Sequence, residues 1–139
     1  MENQTPIVPA AVAENEAQDA QDNKFMGVLA YLGPLVFVPF FTKKDSPFAQ
    51  FHAKQGITLF AVDAAYFILN FLLRLIKVTK YTEVFGEQIE LGRFTPGFIT
   101  WPLTILSIAI GVLAIIGILN AIKGLKKPLP LIGGIKIIK

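Results

Sequence analysis

The sequence predicts an all-α integral membrane protein. It reads as a helical bundle with three transmembrane helices, the first kinked at Gly33-Pro34, and a small extramembrane β-hairpin at 77–95. Three observations predict it. The 139 residues are 53% hydrophobic and only 17% charged, whereas an ordinary soluble domain carries about 25% charge. Mean hydropathy is +0.56. The charge is also confined to two tails and two connectors, which leaves three apolar segments nearly free of it. A small chain has much surface to cover relative to its core, and lipid in place of water relieves that demand.

Residues 1–24 form the first tail, with Glu2, Glu14, Glu16, Asp19 and Asp22 against the single Lys24. No apolar period runs through it, so a disordered acidic tail is expected. The membrane domain is expected to occupy 25–139. Its first span is placed at 25–41, a stretch without charge. Pro34 removes a backbone donor and clashes with the preceding turn, so a kink or break belongs there. A re-entrant hairpin is the alternative for this segment, provided that protein neighbours satisfy the freed backbone groups.

The connector from Thr42 to Gln55 contains Asp45-Ser46-Pro47, a turn or helix start with proline near the first helical position. The second span is placed at 56–73 and is unusual in carrying Asp63 and Asn70, with Arg74 closing it. Val78, Thr79, Tyr81, Val84, Ile89 and Leu91 then give the segment 77–95 its β propensity. Gly86-Glu87 suits a type II′ turn at its centre. The third span, 98–122, is uncharged and opens near Trp101, whose indole favours the membrane interface. The tail 123–139 carries five lysines and no acid, which suits an anionic lipid surface.

Three spans place the loop 42–55 and the C-terminal tail on one side with eight basic residues, and the N-tail and loop 77–97, taking Arg74 with that loop, on the other with five. The positive-inside rule then predicts a cytoplasmic C-terminus and an outer N-tail in a multi-pass protein of the bacterial cytoplasmic membrane.

Projected as one helix, the second segment gathers its polar side chains on one face. Gln55, Asp63, Tyr66, Asn70 and Arg74 all fall within about 60° of His52. Charge at bilayer depth costs at least about 2.5 kcal/mol, so this stripe should face protein or water. Three readings stay open at this point. Asp63 is protonated or bonded to a neighbouring helix, with Asn70 as helix–helix glue; or it lines a polar cavity that carries a proton or ion or grips a partner segment; or the helix breaks near Gly56 and the stripe is an artefact of the projection. In the third segment Ser107, Gly111, Gly117 and Ala121 form two small-xxx-small pairs that let helices approach closely.

Catalytic chemistry finds no support. Cysteine is absent and His52 is the single histidine, so neither a thiolate site nor a multi-histidine metal site can form within one copy. No phosphate-cradling glycine loop occurs. No catalytic residue, cofactor or metal is therefore expected. The lysine tail lacks interleaved aromatics, so nucleic acid is not an expected partner, and no small-molecule substrate is identified. The expected partners are the lipid bilayer and other membrane proteins, or a second copy.

The loop Lys43-Lys44-Asp45-Ser46-Pro47-Phe48, followed by Phe51-His52-Ala53-Lys54-Gln55-Gly56, resembles the hallmark motif of a family of small bacterial membrane proteins of unknown function. That family is related to the twenty-kilodalton Tic component of chloroplast protein import (Tic20-like) and to magnetosome membrane proteins of the MamF type. The ending Asn120-Ala121, Lys123-Gly124 and Pro128-Leu129-Pro130 is similar too. The resemblance implies three or four membrane helices and no catalytic site. Its chloroplast relatives imply translocation scaffolding, and its magnetosome relatives imply organelle-membrane assembly. Together these readings predict a non-enzymatic scaffold or accessory subunit of a membrane complex. The alternative is a small oligomeric channel or transporter using Asp63.

Overall fold

The computed structural model describes residues 9–135. Residues 1–8 and the terminal lysines Lys136 and Lys139 lie outside the described residues. The elements in order are α1 (Ala10–Asp22), α2 (Lys24–Leu29), a 3₁₀ turn (Gly33–Val36), α3 (Phe37–Thr42), α4 (Pro47–Arg74), β1 (Val78–Val84), β2 (Glu87–Phe94) and α5 (Gly97–Ile122). The chain divides into two compact units. One reaches Ala61 and resumes at Val112, and the other is Val62–Gly111.

α4 has 28 residues and α5 has 26, and both are apolar enough to cross a membrane. At 1.5 Å per residue they are about 42 and 39 Å long, against a hydrocarbon core of about 30 Å. Within the second unit, Phe67, Ile68, Phe71 and Leu72 of α4 and Ile105, Leu106 and Ile108 of α5 are exposed. Large contiguous apolar surface of this kind marks a membrane or an interaction face.

Three expectations are corrected. The first predicted span is not one helix. Its six-residue α2 ends before Ala30, and Tyr31 and Leu32 close a turn on Val28 and Leu29. The chain re-forms as a short apolar stretch over Gly33–Thr42, about 15 Å of helix. Pro34 follows the left-handed Gly33 and begins this second piece. Among the described residues, two helices reach spanning length.

The second correction concerns the N-terminal tail, in which Ala10–Asp22 is helical. A helix of 13 residues is marginal alone, but this one is held at several points. Ala20 is buried in a cluster with Phe48 and Ala121. The Phe48 amide donates to Asp19 Oδ2 at 2.9 Å, and Lys126 Nζ meets Glu16 Oε1 at 3.0 Å. That ion pair joins α1 to the C-terminal tail.

The third correction is the turn of the hairpin. β1 and β2 pair antiparallel, and Val84 opposite Glu87 leaves Phe85-Gly86 as a two-residue loop. Both loop residues have positive φ, 55° and 85°. That is the signature of type I′, not type II′, and glycine at its second position adopts it without steric cost.

Candidate functional site

The first unit is organised by the motif loop. Ser46 caps α4: the Ala49 amide donates to its Oγ at 3.0 Å and the Gln50 amide to its carbonyl at 3.0 Å. Pro47 follows as the first helical residue, where its missing amide hydrogen costs nothing. Asp19 adds a carboxylate at the positive end of the helix dipole. Asn23 Nδ2 in turn donates to Asp19 Oδ1 at 2.9 Å. Gln50 Nε2 donates to the carbonyls of Pro39, Phe40 and Lys43 at 3.1–3.2 Å. It thereby satisfies the Phe40 carbonyl at the end of α3, while the Pro39 and Lys43 carbonyls also accept the Lys43 and Ser46 amides. Lys43 is half-buried, whereas Lys44 and Asp45 are exposed.

His52 lies at the centre, with 0% exposure. Its Nδ1 shares a 2.9 Å hydrogen bond with Tyr31 Oη. The rings of Phe48 and Phe51 stand edge-on to it at 4.6 and 5.3 Å. The Leu125 main chain also faces the imidazole, but no partner within hydrogen-bonding geometry reaches Nε2 among the described residues. Tyr31 occupies the space where a Cβ on Gly117 would stand, and Phe48 and Ala121 crowd Gly27 in the same way. Gly117 and Ala121 thus provide close approach for the α2–Tyr31 segment.

Gln55 ties the C-terminal tail to α4. The Leu129 amide donates to its Oε1 at 3.2 Å, and its Nε2 donates to the Gly133 carbonyl at 3.4 Å. Lys54 is half-buried beside it. α5 ends in paired backbone bonds, Gly124 to Ala121 at 3.0 Å and Leu125 to Asn120 at 2.8 Å. This is a Schellman closure, which turns the chain into the tail.

The rest of the polar stripe belongs to the second unit. Arg74 Nε donates to Asn70 Oδ1 at 2.7 Å, and Asn70 Nδ2 donates to Tyr66 Oη at 3.4 Å. These bonds run along α4 itself. Asp63 is exposed, one helical turn before Tyr66. Ser107 Oγ donates back to the Thr104 carbonyl at 2.8 Å, and no atom approaches the space beside Gly111. The stripe expected on one face therefore divides by partner. His52 and Gln55 are engaged by other parts of the chain, whereas Tyr66, Asn70 and Arg74 bond along their own helix.

Sequence reasoning missed Asp19, Tyr31 and Gln50. Each acts on a residue far along the chain or on a helix end, and none lies in an apolar period that would single it out. Among the described residues, no cluster of three or more His, Asp or Glu could hold a metal ion.

Residues 23–138 match the magnetosome magnetite crystal formation protein family, MamF/MmsF. The chain belongs to that family. The MamF/MmsF match begins at Asn23, just after α1, and so takes in the motif loop, both long helices, the hairpin and most of the tail. Asp19 and Glu16 reach this body from outside the matched residues. No curated protein and no solved structure gives a significant match.

Proposed function

We propose that this MamF/MmsF protein is a non-enzymatic membrane scaffold or accessory subunit, serving assembly in a membrane where magnetite crystals form. One observation carries the reading. Among the described residues Tyr66, Asn70 and Arg74 bond along α4 itself, and Asp63 stands exposed beside them. Polar groups at bilayer depth need a protein or water neighbour. Asn and Tyr side chains on a membrane helix supply the interhelical bonds that hold a second helix. The occupant is another membrane protein or a second copy. The motif's Tic20-like character favours the same assembly role.

The topology that fits is two spans, α4 and α5, with both termini on one side. The Glu16–Lys126 pair supports it. That side then holds nine lysines: Lys24, Lys43, Lys44, Lys54 and the five of the tail. The other side holds Arg74, Lys77, Lys80 and Arg93. The positive-inside rule makes the lysine-rich side cytoplasmic, in the bacterial cytoplasmic membrane or the magnetosome membrane of the family's name. α2, the 3₁₀ turn and α3 then stay on or near that face without crossing.

A photo-crosslinker placed at Tyr66 in native membranes should capture a discrete partner or a dimer. A chain that remains uncrosslinked and monomeric overturns the scaffold. The exposure of Asp63 favours one rival, a channel. Ion or proton flux in reconstituted liposomes that Asp63→Asn abolishes would replace the scaffold with that pathway.

A further inference from the structure

The hairpin presents two unlike faces. Cross-strand partners share a face, so Val78, Lys80, Thr82 and Val84 of β1 lie with Phe94, Gly92, Ile89 and Glu87 of β2. Thr79, Tyr81 and Glu83 lie with Arg93, Glu90 and Gln88 on the other. The first face is apolar over Val78, Val84, Ile89 and Phe94, and the second carries Arg93, Glu83 and Glu90.

This separation depends on the irregularity in β2. Lys80 pairs with Gly92 and Tyr81 with Glu90, which leaves Leu91 as an extra residue. Ile89 and Phe94 are five positions apart, and in a regular strand they would point to opposite sides. The bulge re-phases the alternation and brings both to one face. Among the described residues that face is left open: Ile89 is 47% exposed, Phe94 48%, and Phe85 at the turn 103%. An isolated two-stranded hairpin is marginal in water, so an apolar face built this way calls for an apolar surface.

The connections name that surface. Three residues join Arg74 to β1, and two join β2 to α5. The three are Leu75, Ile76 and Lys77, of which the first two are exposed and apolar. Trp101 lies exposed in the first turns of α5, where indole favours the interface. Tethers this short hold the strands beside the ends of the two spans. The basic residues Arg74, Lys77 and Lys80 stand at the span end of the hairpin, where lipid phosphates lie. Lys80 Nζ rests 5.9 Å from the Phe94 ring centroid, and its flexible stem can carry the charge to the headgroups. Glu87 is the one acid on the apolar face, and it stands at the turn.

We infer that the Val78–Val84 and Glu87–Phe94 hairpin lies on the bilayer surface, with its bulge-aligned apolar face against lipid and its Arg93–Glu90–Glu83 face toward water. The inference rests on α4 and α5 crossing the membrane. The chain has no cysteine, so single nitroxide labels can be placed at Thr82→Cys, Glu83→Cys and, as a control, Ile108→Cys in α5. The protein is reconstituted in phosphatidylcholine–phosphatidylglycerol vesicles. Collision with lipid-soluble oxygen is then compared with collision with a water-soluble nickel chelate. The Thr82 label should favour oxygen several-fold and the Glu83 label the chelate. Equal chelate access at both positions overturns the inference, because the hairpin then stands clear of lipid. A Thr82 label shielded from both reagents also overturns it, because protein then covers the face. If the control at Ile108 meets the chelate, the spanning reading itself falls and the inference with it.

Discussion

Tyr31 and His52 meet through a 2.9 Å hydrogen bond in the buried centre of the first unit. The contact joins the turn after α2 to the second turn of α4 and fixes the imidazole among Phe48 and Phe51. Removing the phenol oxygen leaves His52 Nδ1 buried without a partner. Tyr31→Phe should therefore destabilise the protein by about 1–3 kcal/mol. The unfolding midpoint in mixed detergent–denaturant titration checks this, and an unshifted midpoint would show that the bond contributes nothing.

Two glycines of α5 should respond oppositely to the same change. A methyl at Gly117 enters the Tyr31 ring, whereas nothing lies near Gly111. Gly117→Ala should cost about 1–3 kcal/mol through overpacking. Gly111→Ala should be neutral or stabilising, since alanine is the better helix former. Thermal unfolding of the two variants side by side is the measurement. Equal losses would place the crowding elsewhere.

Ser46 ends the loop and begins α4. Ser46→Ala removes the acceptor of the Ala49 amide and should cost about 1 kcal/mol. Hydrogen exchange should quicken at Phe48, Ala49 and Gln50 and remain slow at the middle of α4. Uniform acceleration along the helix would instead mean that the whole unit has loosened.

The Glu16–Lys126 ion pair makes a topological prediction. Cysteines at Glu16→Cys and Lys126→Cys should react with a membrane-impermeant maleimide from the same side of sealed vesicles. Glu83→Cys in the hairpin should react from the other. Labelling of the first two from opposite sides would restore a third crossing.

Local chemistry was legible in the sequence. The Ser46-Pro47 start of α4, the apolar lengths of α4 and α5, the strand pair and the weakness at Pro34 each depend on residues within a few positions of one another. The turn was missed by one residue because glycine suits type II′ and type I′ alike, and the pairing of Val84 with Glu87 chose between them. The stripe on α4 was legible as a periodicity, but periodicity does not distinguish His52, engaged by Tyr31, from Asn70, bonded along its own helix.

By itself the sequence determined that two long helices and a small hairpin form in an apolar setting, because length, period and turn residues act locally. Only the tertiary structure decided that α1 is held against the rest of its unit, that the first apolar segment breaks into short helical pieces, and that α1 meets the C-terminal tail. Those outcomes rest on Asp19 with the Phe48 amide, Ala20 with Phe48 and Ala121, and Glu16 with Lys126. Such pairs stand 28 to 110 residues apart, and no local preference links them until the chain has closed around its core.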